Sequence, residues 1–84
     1  MQFDYSIHDE LGIHARPASL LVRAASKYPC DFALRLGDKS SDMRGIFSVM
    51  KLGVRCGDTV TVVCSGDRAE EAIAEVREIF EMNL

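Results

Sequence analysis

Residues 12–17 (GIHARP) combine side chains that could accept and hold a phosphoryl group. His14 carries an imidazole, and its neutral form keeps a nitrogen lone pair for nucleophilic attack. Arg16 brings a permanently charged fork that matches phosphate oxygens, and Gly12 lets the loop turn and another molecule approach the backbone closely. For a lone histidine, a helix cap or a surface role would be the better interpretation. The presence of Gly12, Arg16 and Pro17 close to His14 in the sequence instead favours a phosphate-accepting histidine.

A helix is predicted to follow the motif and to position His14 at its beginning. From Pro17 onward, apolar residues fall at helical spacing until Tyr28-Pro29 stops the helix. Pro17 is tolerated because a residue of the first turn donates no intrahelical hydrogen bond. The free N–H groups and the positive pole of a helix start form an anion site. The same positive pole disfavours the imidazolium cation, so we expect a neutral His14.

The remaining chain alternates between strand and helix patterns. Apolar alternation predicts strands near residues 3–7, 32–36, 39–43 and 60–64, and helical spacing predicts further helices over 46–52 and 69–80. Gly37-Asp38 suits a hairpin turn, Gly53 a left-handed helix end, and Asp67 with Glu70 a capping box. The order βαββαβα predicts an α+β fold, with a four-stranded, mostly antiparallel sheet under helices on one face.

Composition excludes several classes of protein. The chain has 84 residues, enough for a single domain over residues 1–84, and a net charge of −3 argues against a general nucleic-acid binder. No apolar run could enter a membrane and no secretion signal is present. We expect a cytoplasmic protein whose three cysteines stay reduced. The sequence offers no spaced set of metal ligands and no Ser-His-Asp arrangement.

The motif at residues 12–17 closely resembles the active-site signature of HPr, the histidine-containing phosphocarrier of the bacterial sugar phosphotransferase system. The resemblance covers nearly the whole chain and implies an open-faced sandwich of four antiparallel strands with three helices on one side. It implies that His14 accepts a phosphoryl group on Nδ1 from enzyme I and passes it to the IIA units of sugar transporters. Arg16 would steady the phosphate, with support from Gly12, Ala15 and Pro17.

The resemblance also implies an apolar docking patch around the histidine, rimmed by bases that include Arg44. Its members would be Ser19, Leu20, Arg23, Ile46, Phe47, Met50 and Lys51. For the apolar members core packing is the competing interpretation, most of all for Ile46. Eight bases against three acids in residues 11–57 would suit acidic partners.

One position departs from the family. Where many Gram-positive relatives have a serine that a dedicated kinase phosphorylates, this chain has Gly45, which has no hydroxyl group. The departure weakens a regulatory role for this position and leaves phosphoryl carriage intact.

The resemblance implies a monomeric carrier that needs no cofactor, binds no metal and is a substrate of other proteins and not itself an enzyme. One alternative is a regulatory binding module that docks a partner without carrying phosphate, although the retained His14 and Arg16 count against it. Another is a histidine-nucleophile phosphatase or mutase, which would need a second general acid and several arginines near the motif.

Overall fold

The computed structural model describes residues 1–84, and its elements follow the predicted order βαββαβα. The strands and helices are β1 (Gln2–Ser6), α1 (Ala15–Ser26), β2 (Cys30–Leu36), β3 (Lys39–Asp42), α2 (Ile46–Lys51), β4 (Thr59–Gly66) and α3 (Ala69–Asn83). The α+β class and the number of strands and helices are confirmed. The first strand ends one residue before Ile7, which is nevertheless buried in the core.

The four strands form one sheet in the order β1-β4-β2-β3, and every neighbouring pair is antiparallel. Strand β4 therefore lies between β1 and β2, and its Val62 is opposite both Phe3 and Leu34. Alternate residues of β4 are buried, as the sequence pattern predicts. The two-residue turn between β2 and β3 contains Gly37 at a φ of +60°, which confirms the predicted hairpin.

The helices cover one face of the sheet and enclose the hydrophobic core. The apolar stripe of α1 buries Ala18, Leu21, Ala24 and Ala25, and that of α3 buries Ala72, Val76 and Phe80. The Phe80 ring meets the Phe3 ring edge-on at 5.7 Å between centroids. The Tyr28 hydroxyl donates a hydrogen bond to Glu75 Oε1 (2.8 Å), which fixes the far end of α1 against α3. None of the three helices has the length and apolar character needed to cross a membrane.

Helix α1 begins at Ala15, so that Pro17 lies in its first turn, as predicted. The predicted beginning of α3 needs correction. The N-cap of α3 is Arg68 and not Asp67, and no side chain caps this end. The chain turns through Gly66 (φ +120°) and Arg68 (φ +62°), which moves the Asp67 carboxylate out of the capping position. The predicted end of α2 is confirmed, because Gly53 adopts a φ of +70°.

The three cysteines occupy different environments. Cys30 and Cys64 are buried free thiols on neighbouring strands, and their sulfur atoms lie 3.3 Å apart. Burial, with the hydrogen bond to Cys30, raises the pKa of Cys64 to about 12. Cys56 is exposed. The raised pKa leaves Cys64 with little thiolate, the reactive species, and burial shields both thiols from reagents in solution.

We therefore expect the native protein to react rapidly with the thiol reagent DTNB at one site only. The rapid reaction should disappear in Cys56→Ser, and the two buried thiols should react after unfolding in guanidinium. Counting released chromophore per chain measures each step. Rapid labelling of Cys30 or Cys64 in the folded protein would contradict the burial argument.

Candidate functional site

The loop that leads to His14 is held by backbone hydrogen bonds to two distant parts of the chain. Ile7 N–H donates to the carbonyl of Asp58 (2.9 Å), and Gly57 N–H donates back to the carbonyl of Ile7 (2.8 Å). On the other side, the N–H groups of His8 and Asp9 both donate to a main-chain oxygen of Leu84. Because these partners belong to separate elements, the position of the loop depends on the complete fold.

Gly12 marks the closest contact between this loop and the rest of the protein. Its φ is +65°, and a Cβ built on it would lie 2.2 Å from the carbonyl oxygen of Val54 and 2.9 Å from Cα of Arg55. Any side chain at this position would collide with backbone. The neighbouring N–H of Ile13 donates to the same Val54 carbonyl (3.2 Å). The sequence predicted a turn at Gly12, and its observed contact is with this segment.

His14 is the N-cap residue of α1, with extended backbone angles (φ −99°, ψ −173°). Its carbonyl accepts the N–H of Ala18 (3.0 Å), while its side chain makes no capping hydrogen bond. The N–H groups of Ala15 and Arg16 lie in the first turn and have no intrahelical acceptor, and Pro17 has no N–H at all. The half-buried imidazole therefore stands beside two free backbone donors.

A shallow depression of about 350 Å³ brings together three of the five predicted phosphate-site residues, and neither Gly12 nor Ala15 lines it. His14, Arg16 and Pro17 all line it. The Arg16 side chain is exposed and makes no ion pair within the protein, so its guanidinium is available to an anion at the histidine. Ala15 is exposed beside them, and Pro17 is buried as part of the helix start. The arrangement can bind an anion next to a nucleophile that partner molecules can reach.

Helix α2 presents the apolar side chains expected to form a docking patch. Phe47 is 85% exposed, and Ile46 and Met50 are each 37% exposed, whereas Val49 on the opposite side is fully buried. Core packing is therefore excluded for Phe47, and Ile46 is only partly covered. Lys51 is exposed at the end of the same helix. The exposed set is unusual for a helix of six residues and identifies a surface that could bind another protein.

The predicted contributors outside α2 have mixed environments. Ser19 and Leu20 are half-buried and Arg23 is exposed on α1, which packs against α2. Arg44 was expected on the rim of the docking patch, but its guanidinium donates to the carbonyl of Cys30 (2.9 Å) and lies 3.7 Å from an Asp31 oxygen. Its charge is partly engaged with the beginning of β2, but its side chain is 51% exposed, so its place on the rim stays a prediction.

Gly45 is the N-cap residue of α2, in an extended conformation with a negative φ. A Cβ at this position would lie 3.2 Å from Oγ of Ser48 and contact no backbone atom closer than 4.0 Å. A serine therefore fits here with a small adjustment of the Ser48 hydroxyl. The absence of the family's serine is a chemical difference and not a steric requirement of this fold.

Two exposed apolar residues next to His14 were not predicted from the sequence. Leu11 is 72% exposed and Met82 is 75% exposed, and both line the depression that contains the histidine. Leu11 could have been noticed as an apolar residue inside the otherwise polar turn that follows Asp9 and Glu10. Met82 gave only the weaker signal of an apolar residue off the buried stripe of α3, because no local pattern shows where that helix ends in space.

Comparison with known proteins agrees with this geometry. Residues 1–82 match the family model described as the PTS HPr component phosphorylation site. The chain belongs to the HPr family. The α+β arrangement of the chain is thus that of the HPr phosphocarrier fold. The family assignment rests on almost the entire chain and not on the six-residue motif alone.

Several solved HPr structures resemble this chain over nearly their full lengths. The histidine-containing phosphocarrier protein of a mycoplasma is 30% identical, with a TM-score of 0.92 over 94% of this chain and 90% of that one. HPr-C-His from Thermoanaerobacter tengcongensis is 33% identical, with a TM-score of 0.90 over 96% and 91%. Crh, a catabolite repression protein of Bacillus subtilis that forms a swapped dimer, is 26% identical, with a TM-score of 0.79 over 95% and 92%.

The exposure of Phe47 leads to a testable expectation about α2. Phe47→Ala should slow phosphoryl transfer to and from His14 while changing the free energy of unfolding by less than about 0.5 kcal/mol, as is usual for surface positions. Denaturant titration and a transfer assay on the same sample measure the two effects.

Val49→Ala provides the matched control on the same helix. It removes two buried methyl groups and should cost about 1.5 kcal/mol or more of stability, at roughly 0.8 kcal/mol for each buried group. A Phe47→Ala protein that transfers phosphate at the normal rate would remove Phe47 from the docking surface.

Proposed function

We propose that this protein carries a phosphoryl group on His14, accepts it from enzyme I and delivers it to IIA proteins of sugar transporters. The observation that carries the proposal is the half-buried His14 at the start of α1, whose side chain makes no capping hydrogen bond and shares a depression with Arg16. We further propose that the whole chain acts as one cytoplasmic domain and as a monomer. Membership of the HPr family supports the role as a phosphocarrier.

The proposed chemistry is a substitution at phosphorus. The lone pair of the His14 imidazole forms the new N–P bond as the bond from phosphorus to the donor group breaks. The free N–H groups of Ala15 and Arg16, with the Arg16 guanidinium, would donate hydrogen bonds to the bound phosphoryl oxygens and offset their negative charge. The depression is open, so a donor and then an acceptor can reach the same nitrogen atom. We expect no cofactor, and no group other than the transient phosphohistidine.

We expect no catalytic turnover from the protein alone. A phosphatase or mutase would need a second general acid beside the histidine. The carboxylate nearest in the depression is Asp9, and its Oδ1 already accepts the N–H of Leu11 (2.8 Å) in a structural turn. The protein would thus be a substrate for two partner proteins, with the catalytic machinery supplied by the partners.

A second candidate function is regulatory docking without phosphate flux. Crh, one of the similar proteins, is described as a catabolite repression protein, and the exposed face of α2 could serve such a role. Binding alone would not require an arginine next to a free imidazole. The retained pair of His14 and Arg16 therefore favours phosphoryl carriage.

Incubation with enzyme I and phosphoenolpyruvate should add one phosphoryl group to the protein, measured by intact mass. The adduct should be lost in acid and survive base, because it is a phosphoramidate. His14→Ala should abolish the gain in mass.

His8→Ala is the matched control, because His8 is an exposed histidine outside the depression. This variant should gain the phosphoryl group normally. A wild-type protein that docks to partners but gains no mass would instead establish the regulatory alternative, and labelling that persists in His14→Ala would refute the assignment of the site.

The absence of a hydroxyl group at Gly45 generates a separate expectation. With ATP and an HPr kinase, the protein should remain unmodified, while His14 still accepts phosphate from enzyme I. Gly45→Ser should become a substrate, because the backbone there is already that of an N-cap and the added side chain meets only Ser48. The new phosphoserine would add about −1.5 to −2 charges near Phe47 and would oppose an acidic partner.

Peptide mapping after the kinase reaction distinguishes the possible acceptors. Acid-stable phosphate on Ser48, Ser40 or Ser41 of the unmutated protein would show that the regulatory position has been placed wrongly. Phosphate confined to the introduced serine of the variant would support the present placement.

A further inference from the structure

We propose that Leu11 and Met82 form a second contact surface for the protein that donates the phosphoryl group, separate from the exposed face of α2. This proposal rests on the proposed function and specifies how the partner is recognised at the same site. The two side chains are 72% and 75% exposed and line the depression that holds His14. No residue of α2 lines that depression, so the second surface is distinct from the first.

The backbone at Leu11 is held by hydrogen bonds although the side chain is exposed. Its own N–H donates to Asp9 Oδ1 (2.8 Å), and the next N–H, that of Gly12, donates to the Asp9 carbonyl (3.0 Å). The Asp9 N–H is in turn bound to a main-chain oxygen of Leu84 (3.0 Å). An apolar side chain on such a fixed turn requires little further ordering of the backbone on binding, which favours its use as an interface anchor.

Met82 approaches the same depression from the last turn of α3. The backbone around it is fixed, because Leu84 N–H donates to the Phe80 carbonyl (2.8 Å) and the Asn83 side chain donates to the Ile79 carbonyl (3.0 Å). The methionine side chain itself is flexible and polarizable, so it can adapt to different apolar shapes. A leucine on a fixed turn and an adaptable methionine can together enclose an apolar side chain of a partner.

The requirement for transfer places the donor over this surface. The reacting atoms must approach to about 3–3.5 Å, and a specific interface covers roughly 800 Å² on each partner. A surface of that size centred on His14 includes the residues that share its depression. Leu11 and Met82 would therefore be covered by the donor during transfer, and their apolar area would be removed from water.

The charges beside these residues define the chemistry of the partner further. Glu10 precedes Leu11 and makes no ion pair, and Glu81 precedes Met82 with only a 4.0 Å contact to Arg77. By contrast, Lys51 lies at the end of α2 beside the first surface. The donor should present an apolar side chain with basic neighbours to Leu11 and Met82, and acidic groups to α2.

The test compares two double variants in the reaction with enzyme I and phosphoenolpyruvate. Leu11→Ser with Met82→Ser removes the apolar character, and Leu11→Met with Met82→Leu exchanges the two side chains and retains it. We expect the serine pair to raise the KM for this protein about tenfold, the effect of losing a typical interface anchor. One phosphoryl group per chain should still be added at completion, and the exchanged pair should have a KM near that of the wild type.

An unchanged KM in the serine pair, with normal phosphorylation of the wild type, would overturn this surface alone. An unchanged KM together with a shift in oligomeric state, measured by light scattering, would assign the surface to a second copy of the chain and also overturn the proposal. No phosphorylation of the wild type would overturn the proposed function and, with it, this surface. Thermal melting of both variants should match the wild type, because both side chains are exposed.

Discussion

The close approach of Gly12 to the carbonyl of Val54 fixes the loop that positions His14, the residue proposed to carry the phosphoryl group. Only a glycine can occupy that position, because a Cβ would lie 2.2 Å from the carbonyl oxygen. The contact fixes the end of the loop, and the helix that begins at Ala15 fixes the next residues. His14 lies between these two constraints, so its backbone is fixed although its side chain makes no capping hydrogen bond. The proposed nucleophile is thus positioned by backbone and not by a neighbouring side chain.

The surroundings of His14 differ from those of an enclosed active site. The imidazole and Arg16 line an open depression, and large apolar side chains remain exposed on α2 and beside the loop. A protein that passes a group between partners needs surfaces that bind and release quickly, and a permanently covered site would prevent this. The exposed Phe47 is therefore consistent with a stable core, since the buried cluster contains 21 other residues and does not need it.

The sequence predicted the strands and helices well, but it predicted the contacts between them poorly. Alternation and helical spacing are local properties, so the order of strands and helices, the Gly37 turn and the Gly53 helix end could be read directly. The capping box at Asp67 was wrong because the left-handed Arg68 displaces it, and no propensity favours an arginine in that conformation. The 3.3 Å separation of the Cys30 and Cys64 sulfurs depends on register between β2 and β4, which a composition count cannot supply.

In the candidate site, too, the sequence predicts residues that are close in the chain but not those that only the fold brings together. The GIHARP motif predicted His14 and Arg16 because these residues lie only two positions apart in the chain. The contributions of Met82 and of the Leu84 oxygen come from the far end of α3, so only the folded chain brings them to the loop. The bond from the Arg44 guanidinium to the carbonyl of Cys30 in β2 is likewise invisible in the sequence, where its neighbours belong to α2.

The strand order has a consequence for how the protein is made. Central β4 and the contacts from residues 54–84 complete both the sheet and the loop before His14. Most of the pairings that close the sheet join residues far apart in sequence, such as Phe3 with Val62, and such topologies fold more slowly than helical bundles. On the ribosome, the motif is therefore synthesised before the segments that hold its loop. The proposed phosphate-accepting site is complete only when β4 and α3 have joined the first half of the chain.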